Sequence, residues 1–183
     1  MEPLRFPPKP RRGWPNTPLH QNLINDPNWI VEPKKNGERC IITIDNGEVA
    51  LWSRRGVRVT YAWLKPLITE LAHTLPYTLI LDGEIFARPQ PRCELWLFDI
   101  PSQDGPLSQR RIKLLKLFEI NQFQYIHLMP WLKDKEIAYD ACIAAGHEGV
   151  VFKQLTSAYK LQRKPEDQIV EWVKFKPASA EGW

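Results

Sequence analysis

Five short segments of the chain place charged side chains beside apolar, strand-like runs. In chain order they are Glu32-Pro33-Lys34-Lys35-Asn36-Gly37-Glu38-Arg39, Leu81-Asp82-Gly83-Glu84, Leu97-Phe98-Asp99, Glu148-Gly149-Val150-Val151-Phe152-Lys153 and Trp172-Val173-Lys174-Phe175-Lys176. Lysine amines act as nucleophiles, carboxylates hold divalent metals, and lysine and arginine bind phosphates. Each segment alone also fits a solvated charge, a turn or the polar face of a strand. The functional signal therefore lies in the ordered set.

That ordered set resembles the covalent nucleotidyltransferase superfamily of ATP-dependent DNA ligases, RNA ligases and mRNA capping enzymes. The superfamily shows K-x-D-G-x-R, S-R, D-G-E, an aromatic residue before Asp, E-G-V-V-x-K and K-x-K. Here Ser53-Arg54 fills the second place, and Gly105-Pro106-Leu107 with Arg110-Arg111 resembles the ligase stretch after the aromatic motif. The resemblance covers about Trp29 to Pro177. It implies an α+β fold of mainly antiparallel sheets with flanking helices, the ATP-grasp-like nucleotidyltransferase fold of DNA ligases.

The resemblance also implies a role for each matching residue. Lys34 is the nucleophile that forms lysyl-AMP from ATP. The nucleotide contacts that it implies are Glu32 near the adenine edge, Arg39 and Glu84 on the ribose, Phe98 stacked on the adenine, and Lys174 and Lys176 on the α-phosphate.

A lysine nucleophile must be neutral, yet a free lysine has a pKa of ~10.4. Neighbouring cations lower that pKa. The resemblance implies that Lys174, Lys176, Arg39 and a divalent metal provide this positive field around Lys34. The same charges stabilise the phosphoryl oxygens in the transition state. A Mg²⁺ or Mn²⁺ ion held largely by substrate phosphate needs one or two carboxylates, for which Glu148 is the first choice and Glu84 the second.

Two features depart from the family pattern. Asn36 stands where the family usually has Asp, which removes a negative charge beside the nucleophile but keeps a hydrogen-bond acceptor. The sequence stops seven residues after Lys176, where the family normally continues into an OB-fold domain. We therefore expect a partner protein to supply the role of that domain.

Basic residues and prolines are concentrated at the N-terminus. The formal net charge of the chain is +4, and residues 1–12 supply +3 of it, because Arg5, Lys9, Arg11 and Arg12 stand against Glu2. Prolines at six positions within residues 1–18 predict an extended arm outside helices and strand interiors. We expect this arm and Arg54 to contact nucleic-acid phosphates, and residues 19–183 to form the nucleotidyltransferase domain.

Hydrophobic patterning predicts the elements that position these residues. Asp45-Asn46-Gly47 predicts a hairpin turn between strands over 39–44 and 48–53. Helical spacing is found over 62–75, 107–118 and 134–145. Further strands are predicted over 29–33, 77–86, 93–100, 125–129, 150–153 and 169–175.

The sequence also limits the setting of the protein. Cys40, Cys93 and Cys142 lie far apart, which predicts buried free thiols rather than disulfides or a zinc site. No apolar run approaches the ~20 residues of a membrane span. We therefore expect a cytoplasmic monomer, associated with the nucleoid if the source is bacterial or viral.

The Leu-Asp-Gly-Glu and Glu-Gly-Val-Val forms look more like DNA ligases than capping enzymes. The leading interpretation is an ATP-dependent DNA ligase core that transfers AMP to a 5′-phosphate end and seals nicks in DNA repair, replication or recombination. An RNA ligase is the second enzymatic interpretation and a guanylyltransferase the third. A non-catalytic nucleotide- or DNA-end-binding module is the alternative from a different class.

Overall fold

The computed structural model describes residues 6–75, 77–87, 93–164 and 166–177, so the predicted DNA contact at Arg5 lies outside the described residues. The elements in these ranges, in chain order, are β1 Pro10–Gly13, α1 Pro18–Asn25, β2 Trp29–Lys34, β3 Glu38–Asp45, β4 Glu48–Ser53, a 3-10 turn Ala62–Leu64, α2 Lys65–Thr74, β5 Leu79–Ala87, β6 Cys93–Asp99, α3 Leu107–Ile120, β7 Ile126–Leu128, α4 Ala138–Ala144, β8 Gly149–Gln154 and β9 Ile169–Phe175. The mixed α+β architecture predicted from the sequence is confirmed.

The described residues form two compact units, each built around its own sheet. Unit 1 comprises the described parts of 1–7, 37–128 and 158–165, and unit 2 those of 8–36, 129–157 and 166–183.

Unit 1 contains a five-stranded sheet in the order β4-β3-β5-β6-β7. Neighbouring strands are antiparallel except β6 and β7. One face of the sheet belongs to an apolar core that includes Leu81 and Leu95, together with Leu67 of α2 and Leu114 of α3. The opposite face carries a row of directly paired residues, namely Arg39, Glu84, Trp96 and His127.

The hairpin between β3 and β4 forms at the predicted turn. Asn46 has a φ of 49° and Gly47 a φ of 84°, the left-handed conformations that Asn-Gly accepts readily. The turn fixes the register of β3 and β4, in which Ile41 pairs with Trp52. On the other side of β3, Arg39 pairs with Glu84 of β5.

Unit 2 contains a four-stranded sheet in the order β1-β9-β8-β2. Its apolar face, with Val31, Phe152 and Phe175, packs in one core with Leu23 of α1 and Cys142 of α4. The sequence analysis predicted no helix over α1. This helix begins after Thr17, whose hydroxyl accepts a hydrogen bond from the backbone N–H of His20, and Pro18 lies in its first turn.

Strand β1 forms within the segment predicted as an extended arm. Prolines were expected to keep this segment out of helices and strand interiors, and residues 10–13 pair in parallel with β9 at the edge of the sheet. Proline is compatible with this position because Pro10 is the first residue of a strand at the sheet edge. Arg12 therefore lies directly beside Lys174 of β9.

The three cysteines are buried and free, as predicted. Within the ranges that the structure describes, every helix is too short or too polar to cross a lipid bilayer.

Candidate active site

Lys34 and Lys176 meet at a single carboxylate, that of Glu148. Lys34 ends β2 and Glu148 immediately precedes the paired strand β8, with the Glu148 N–H donating to the Lys34 carbonyl at 2.8 Å. Oε2 of Glu148 accepts a hydrogen bond from Lys34 Nζ, and Oε1 pairs with Lys176 Nζ. The three side chains are 14–22% exposed. Residues far apart in the sequence thus form one ionic cluster in unit 2.

Gly149 allows this cluster to form. Its φ is +141°, and a Cβ at this position would lie 2.0 Å from the carbonyl oxygen of Phe175. A side chain would therefore push the end of β9 away from β8. Glycine keeps Lys176, the residue after Phe175, close to Glu148.

The charges in the cluster shift one another's ionisation. Burial opposes the charged form of Glu148, but hydrogen bonds from Lys176 and Lys34 and their charges outweigh it, so the Glu148 pKa lies below its ordinary value. The pKa of Lys174 is lowered by burial and then by the positive charges of Lys34, Lys176, Lys9 and Arg12. Unit 2 is therefore strongly cationic here, which suits a polyanionic ligand.

Glu32 lies on the same strand as Lys34 but is held inside unit 2. Its Oε2 pairs with Lys153 Nζ at 2.6 Å, and its Oε1 accepts a hydrogen bond from Trp131 Nε1 at 3.0 Å. Both members of the ion pair are 3% exposed. Neither Lys153 nor Trp131 was predicted as a functional residue, because nothing in their local sequence marks them as partners of Glu32.

A second group of predicted residues is assembled within unit 1 around Arg39. Its Nε and Nη2 donate to the two carboxylate oxygens of Asp82 at 3.0 and 2.5 Å. The hydroxyl of Tyr159 donates to the same carboxylate at 2.5 Å. Burial opposes the charge of Arg39, but Asp82 outweighs it and raises the arginine pKa above its ordinary value. Asp82 is fully buried and fixes the guanidinium in one orientation.

The other predicted nucleoside contacts lie near Arg39. The guanidinium carbon of Arg39 is 5.3 Å from the ring centroid of Phe98. Glu84 pairs with Arg39 across the strands and accepts a hydrogen bond from the Gly37 N–H at 3.1 Å. Unit 1 thus brings together Arg39, Glu84 and Phe98, as unit 2 brings together Lys34, Glu148, Lys174 and Lys176.

Comparison with known proteins relates the sequence and the fold of this chain to DNA ligases. Residues 19–95 match the family model described as ATP dependent DNA ligase domain. A DNA ligase of Archaeoglobus fulgidus is 30% identical over 181 residues, which cover 80% of this chain and 31% of that protein. The crystal structure of the ligase domain of LigD from M. tuberculosis has a TM-score of 0.70 and 25% identity, covering 93% of this chain and 59% of that one.

The chain is therefore similar to ATP-dependent DNA ligases in both sequence and fold. The multifunctional non-homologous end joining DNA repair protein LigD of Mycobacterium tuberculosis is also similar, with 32% identity over 171 residues that cover 81% of this chain and 21% of that protein. The chain spans about a third or less of the length of these two curated relatives.

A buried ion pair follows Phe98 in unit 1. Asp99 accepts hydrogen bonds from Arg110 Nε and Nη2 at 2.7 and 2.9 Å, and Arg110 Nη1 donates to the Gly105 carbonyl at 2.7 Å. Both charged side chains are fully buried. The pair ties the end of β6 to α3 and so orders the segment that follows the aromatic motif.

Arg54, the predicted DNA contact, lies in a tight turn that extends from β4. The Ser53 N–H donates to the Val57 carbonyl at 2.8 Å, and the Val59 N–H donates to the Leu51 carbonyl at 2.8 Å. We call residues 53–59 the arginine hairpin. Its arginines are Arg54, Arg55 and Arg58. Burial and then the charges of Arg39 and Arg55 lower the pKa of Arg54. Within the described part of the chain, none of these three arginines forms an ion pair with a carboxylate.

The described carboxylates suit a metal ion that takes most of its ligands from substrate phosphate and water. Among the described residues, no group of three or more His, Cys, Asp or Glu side chains could enclose an ion. Glu148 offers one carboxylate in the cationic cluster. This fits Mg²⁺ or Mn²⁺, which can be bound through one or two carboxylates with substrate phosphate and water.

Proposed function

We propose that this chain is the adenylation core of an ATP-dependent DNA ligase, and that Lys34 becomes covalently adenylated. The observation that carries the proposal is the cluster in unit 2, in which Glu148 pairs with both Lys34 and Lys176 beside Lys174. A lysine held among other cations next to one carboxylate combines a nucleophile with binding groups for the α-phosphate.

In the first step, the neutral Lys34 amine attacks the α-phosphorus of ATP. A P–N bond forms, the bond to the bridging oxygen of the β-phosphate breaks, and pyrophosphate leaves with the electron pair. The lysine releases one proton to solvent before the attack and another after it. Lys174 and Lys176 stabilise the negative charge that develops on the α-phosphoryl oxygens.

In the second step, a 5′-phosphate oxygen of DNA attacks the phosphorus of lysyl-AMP, and the lysine leaves. In the third step, the 3′-hydroxyl attacks the 5′-phosphate, loses its proton, and AMP departs. Arg54 and its neighbours in the arginine hairpin grip the DNA phosphates in this proposal. Their support is the concentration of arginines that lack carboxylate partners within the described residues.

The nucleoside contacts follow the family assignment. Arg39 and Glu84 hold the ribose, and Phe98 stacks on the adenine. Their proximity within unit 1 supports this assignment. Glu32 is assigned to the adenine edge, although both its oxygens are already engaged by Lys153 and Trp131. For Glu32, a positioning effect on β2 and Lys34 is therefore the better-supported role.

Glu148, with Glu84 as the second choice, would hold a divalent cation when nucleotide binds. Such an ion supplies positive charge that polarises the phosphoryl group. ATP as the nucleotide is supported by the family and by a mycobacterial DNA ligase D complexed with ATP and MES, which shares this fold with a TM-score of 0.69.

DNA is proposed as the substrate because the curated relatives described above are DNA ligases. Repair is the process we propose, since one of them is named for DNA repair by non-homologous end joining. The RNA ligase alternative has no relative in its favour among these matches. A non-catalytic module is disfavoured because Lys34, Glu148, Lys174 and Lys176 are retained together.

The test is covalent labelling of the protein with ATP that carries radiolabel in its α-phosphate. In the presence of Mg²⁺, the chain should acquire an acid-labile adduct on a denaturing gel. Lys34→Ala should abolish the label, whereas the matched variant Lys35→Ala should largely retain it. Label that survives in Lys34→Ala would disprove the assignment of the nucleophile.

Substrate choice is tested by a chase of the labelled protein. Label should move to a nicked duplex with a DNA 5′-phosphate, and much less to the same nick with an RNA strand. Preferred transfer to RNA would favour the RNA ligase alternative. A wild-type chain that binds ATP but acquires no label would favour the non-catalytic module.

A further inference from the structure

The edge strand β1 adds an arginine to the cationic cluster of unit 2. Arg12 is paired with Lys174 of the parallel neighbour β9. Its Nη2 lies 3.5 Å from the carbonyl of Lys176 and 3.4 Å from that of Pro177, to which it donates. The guanidinium carbon is also 4.3 Å from the centroid of the Trp14 ring. These contacts hold the Arg12 guanidinium at the end of β9, next to Lys176.

Lys9 adds a further positive charge within electrostatic reach of Lys174. The residue is anchored by its carbonyl, which accepts a hydrogen bond from the Ile169 N–H at the start of β9 at 2.9 Å. Lys9 and Arg12 are both among the cations whose charge disfavours the charged form of Lys174.

The resulting cluster contains far more positive than negative charge. Its cations are Lys9, Arg12, Lys34, Lys174 and Lys176, and the carboxylate of Glu148 pairs with two of them. Cations held this close destabilise one another until an anion binds between them. A single phosphoryl group would engage only part of this charge, and a polyphosphate would engage more of it.

We propose that β1 supplies Arg12 and Lys9 as the binding groups for the β- and γ-phosphates of ATP and for the pyrophosphate that leaves. This inference rests on the proposed function and extends it from the α-phosphate to the leaving group. The planar guanidinium of Arg12 can donate two parallel hydrogen bonds to one phosphate. As the bond between the α-phosphorus and the bridging oxygen breaks, Arg12 and Lys9 stabilise the charge that collects on pyrophosphate, and neither transfers a proton.

The position of these residues favours a nucleotide polyphosphate over a DNA backbone. From the sequence, Lys9, Arg11 and Arg12 were all expected to contact DNA. Arg12 pairs with Lys174, one of the lysines assigned to the α-phosphate, and Lys9 acts electrostatically on the same lysine. Arg11 is paired with Val173, a residue of the apolar core, so that its side chain starts on the opposite face of the sheet.

The test compares Arg12→Gln, Lys9→Gln and Lys133→Gln in the full chain. Lys133 is exposed in unit 2 and is not among the cations that act on Lys174, so it controls for the loss of one charge. We expect the KM for ATP in self-adenylation to rise about tenfold in each of the first two variants, the effect of losing one charge-assisted hydrogen bond. The KM for pyrophosphate in the reverse reaction, release of ATP from lysyl-AMP protein, should rise by a similar factor. Lys133→Gln should change neither.

Two further measurements separate the possible outcomes. Transfer of AMP from pre-formed lysyl-AMP to a DNA 5′-phosphate should be unchanged in Arg12→Gln, because pyrophosphate has already left. Arg12→Lys should recover part of the lost affinity for pyrophosphate, whereas a variant that merely disturbs folding would not be rescued in this way. Unchanged KM values together with weaker DNA binding would overturn the proposal in favour of a DNA contact. Absence of adenylation in the wild-type chain would instead refute the proposed function itself.

Discussion

At position 36 the chain carries an amide where the family usually carries a carboxylate. Asn36 is exposed, two residues after Lys34. Its amide can accept the same hydrogen bond as a carboxylate, so the substitution should be tolerated. We predict that Asn36→Asp changes the rate of self-adenylation less than tenfold, or about 1.4 kcal/mol in activation free energy. Single-turnover labelling with ATP measures this rate.

Asn36→Gln is the matched control, because it keeps the amide but moves it by one methylene. It should slow adenylation more than Asn36→Asp does if the position of the acceptor matters. A gain of much more than tenfold in Asn36→Asp would show that the natural residue cripples the enzyme, and would favour the binding-module alternative.

The buried pair of Lys153 and Glu32 allows a prediction of stability. Lys153→Met leaves the Glu32 carboxylate buried without its cation, which should lower the free energy of unfolding by about 3–5 kcal/mol. Adding Glu32→Gln removes the stranded charge while keeping an oxygen for the Trp131 N–H. The double variant should therefore be more stable than Lys153→Met alone.

Urea denaturation of the wild type, both single variants and the double variant completes the cycle. A loss of less than about 1 kcal/mol in Lys153→Met would show that Glu32 is readily protonated or hydrated in the folded protein.

Individual residues of the candidate site were predictable to different degrees. Lys34, Glu148 and Lys174 were predicted as site residues because their motifs have a fixed order along the chain, and the structure brings them together in unit 2. Asp82 was visible as part of a motif, but its pairing with Arg39 and Tyr159 was not. Such partners depend on strand register and on segments distant in sequence, which local spacing does not encode.

Among the structural elements, the arginine hairpin makes a specific prediction about DNA. Arg55 and Arg58 are exposed, and Arg58 lies 5.6 Å from the centroid of the Trp52 ring. If each neutralises one phosphate, Arg55→Gln or Arg58→Gln should reduce the slope of log affinity against log salt by about 0.9. Fluorescence anisotropy with a nicked duplex at several salt concentrations measures this slope.

Lys116→Gln provides the control for this measurement. Lys116 is exposed on α3 of the same unit, so the variant removes the same charge from a different element. Its salt slope should equal that of the wild type. An unaltered slope in the two hairpin variants would mean that these arginines are simply solvated.

Strand β1 shows why elements at sheet edges are difficult to predict. Prolines argue against strand interiors because they cannot donate a ladder hydrogen bond. An edge strand has only one paired side, so Pro10 costs little there. The hairpin at Asn46-Gly47 was predictable, because its conformational requirement is local.

On the scale of the whole molecule, the burial of His20 should make the free energy of unfolding depend on pH. It is buried against Phe175, and burial lowers its pKa, with Asp140 acting weakly in the opposite direction. Below the unfolded pKa of about 6.5, the unfolded chain binds a proton that the folded chain resists. The free energy of unfolding should therefore fall as the pH drops below about 6.5, by up to ~1.4 kcal/mol per pH unit from this group.

His20→Leu should flatten this dependence between about pH 6.5 and 5. His73→Asn, which alters an exposed histidine of unit 1, should leave it unchanged. Hydrogen exchange of the β8 and β9 amides reports the opening of unit 2 directly. Equal pH dependence in His20→Leu and the wild type would show that other groups control the acid stability of this unit.

The family motifs and hydrophobic periods predicted most strands and the α+β class. The division into two units was not predicted from the sequence. Each unit is assembled from three separate stretches of chain, and the boundary between Asn36 and Gly37 falls inside the first motif. A motif read along the sequence indicates which residues act, but not which sheet carries each of them.

The pairing of β1 with β9 has a consequence for the order of folding. Arg12 and Lys174 are neighbours in the sheet although 162 positions separate them in the sequence. Strands β3 to β7 of unit 1 leave the ribosome as one continuous stretch, whereas the sheet that carries Lys34 lacks two strands until β8 and β9 have been made. Contacts this distant form slowly because the intervening loop must close first. The proposed ability of Lys34 to accept AMP should therefore appear late in biosynthesis, after the sheet of unit 1 has already formed.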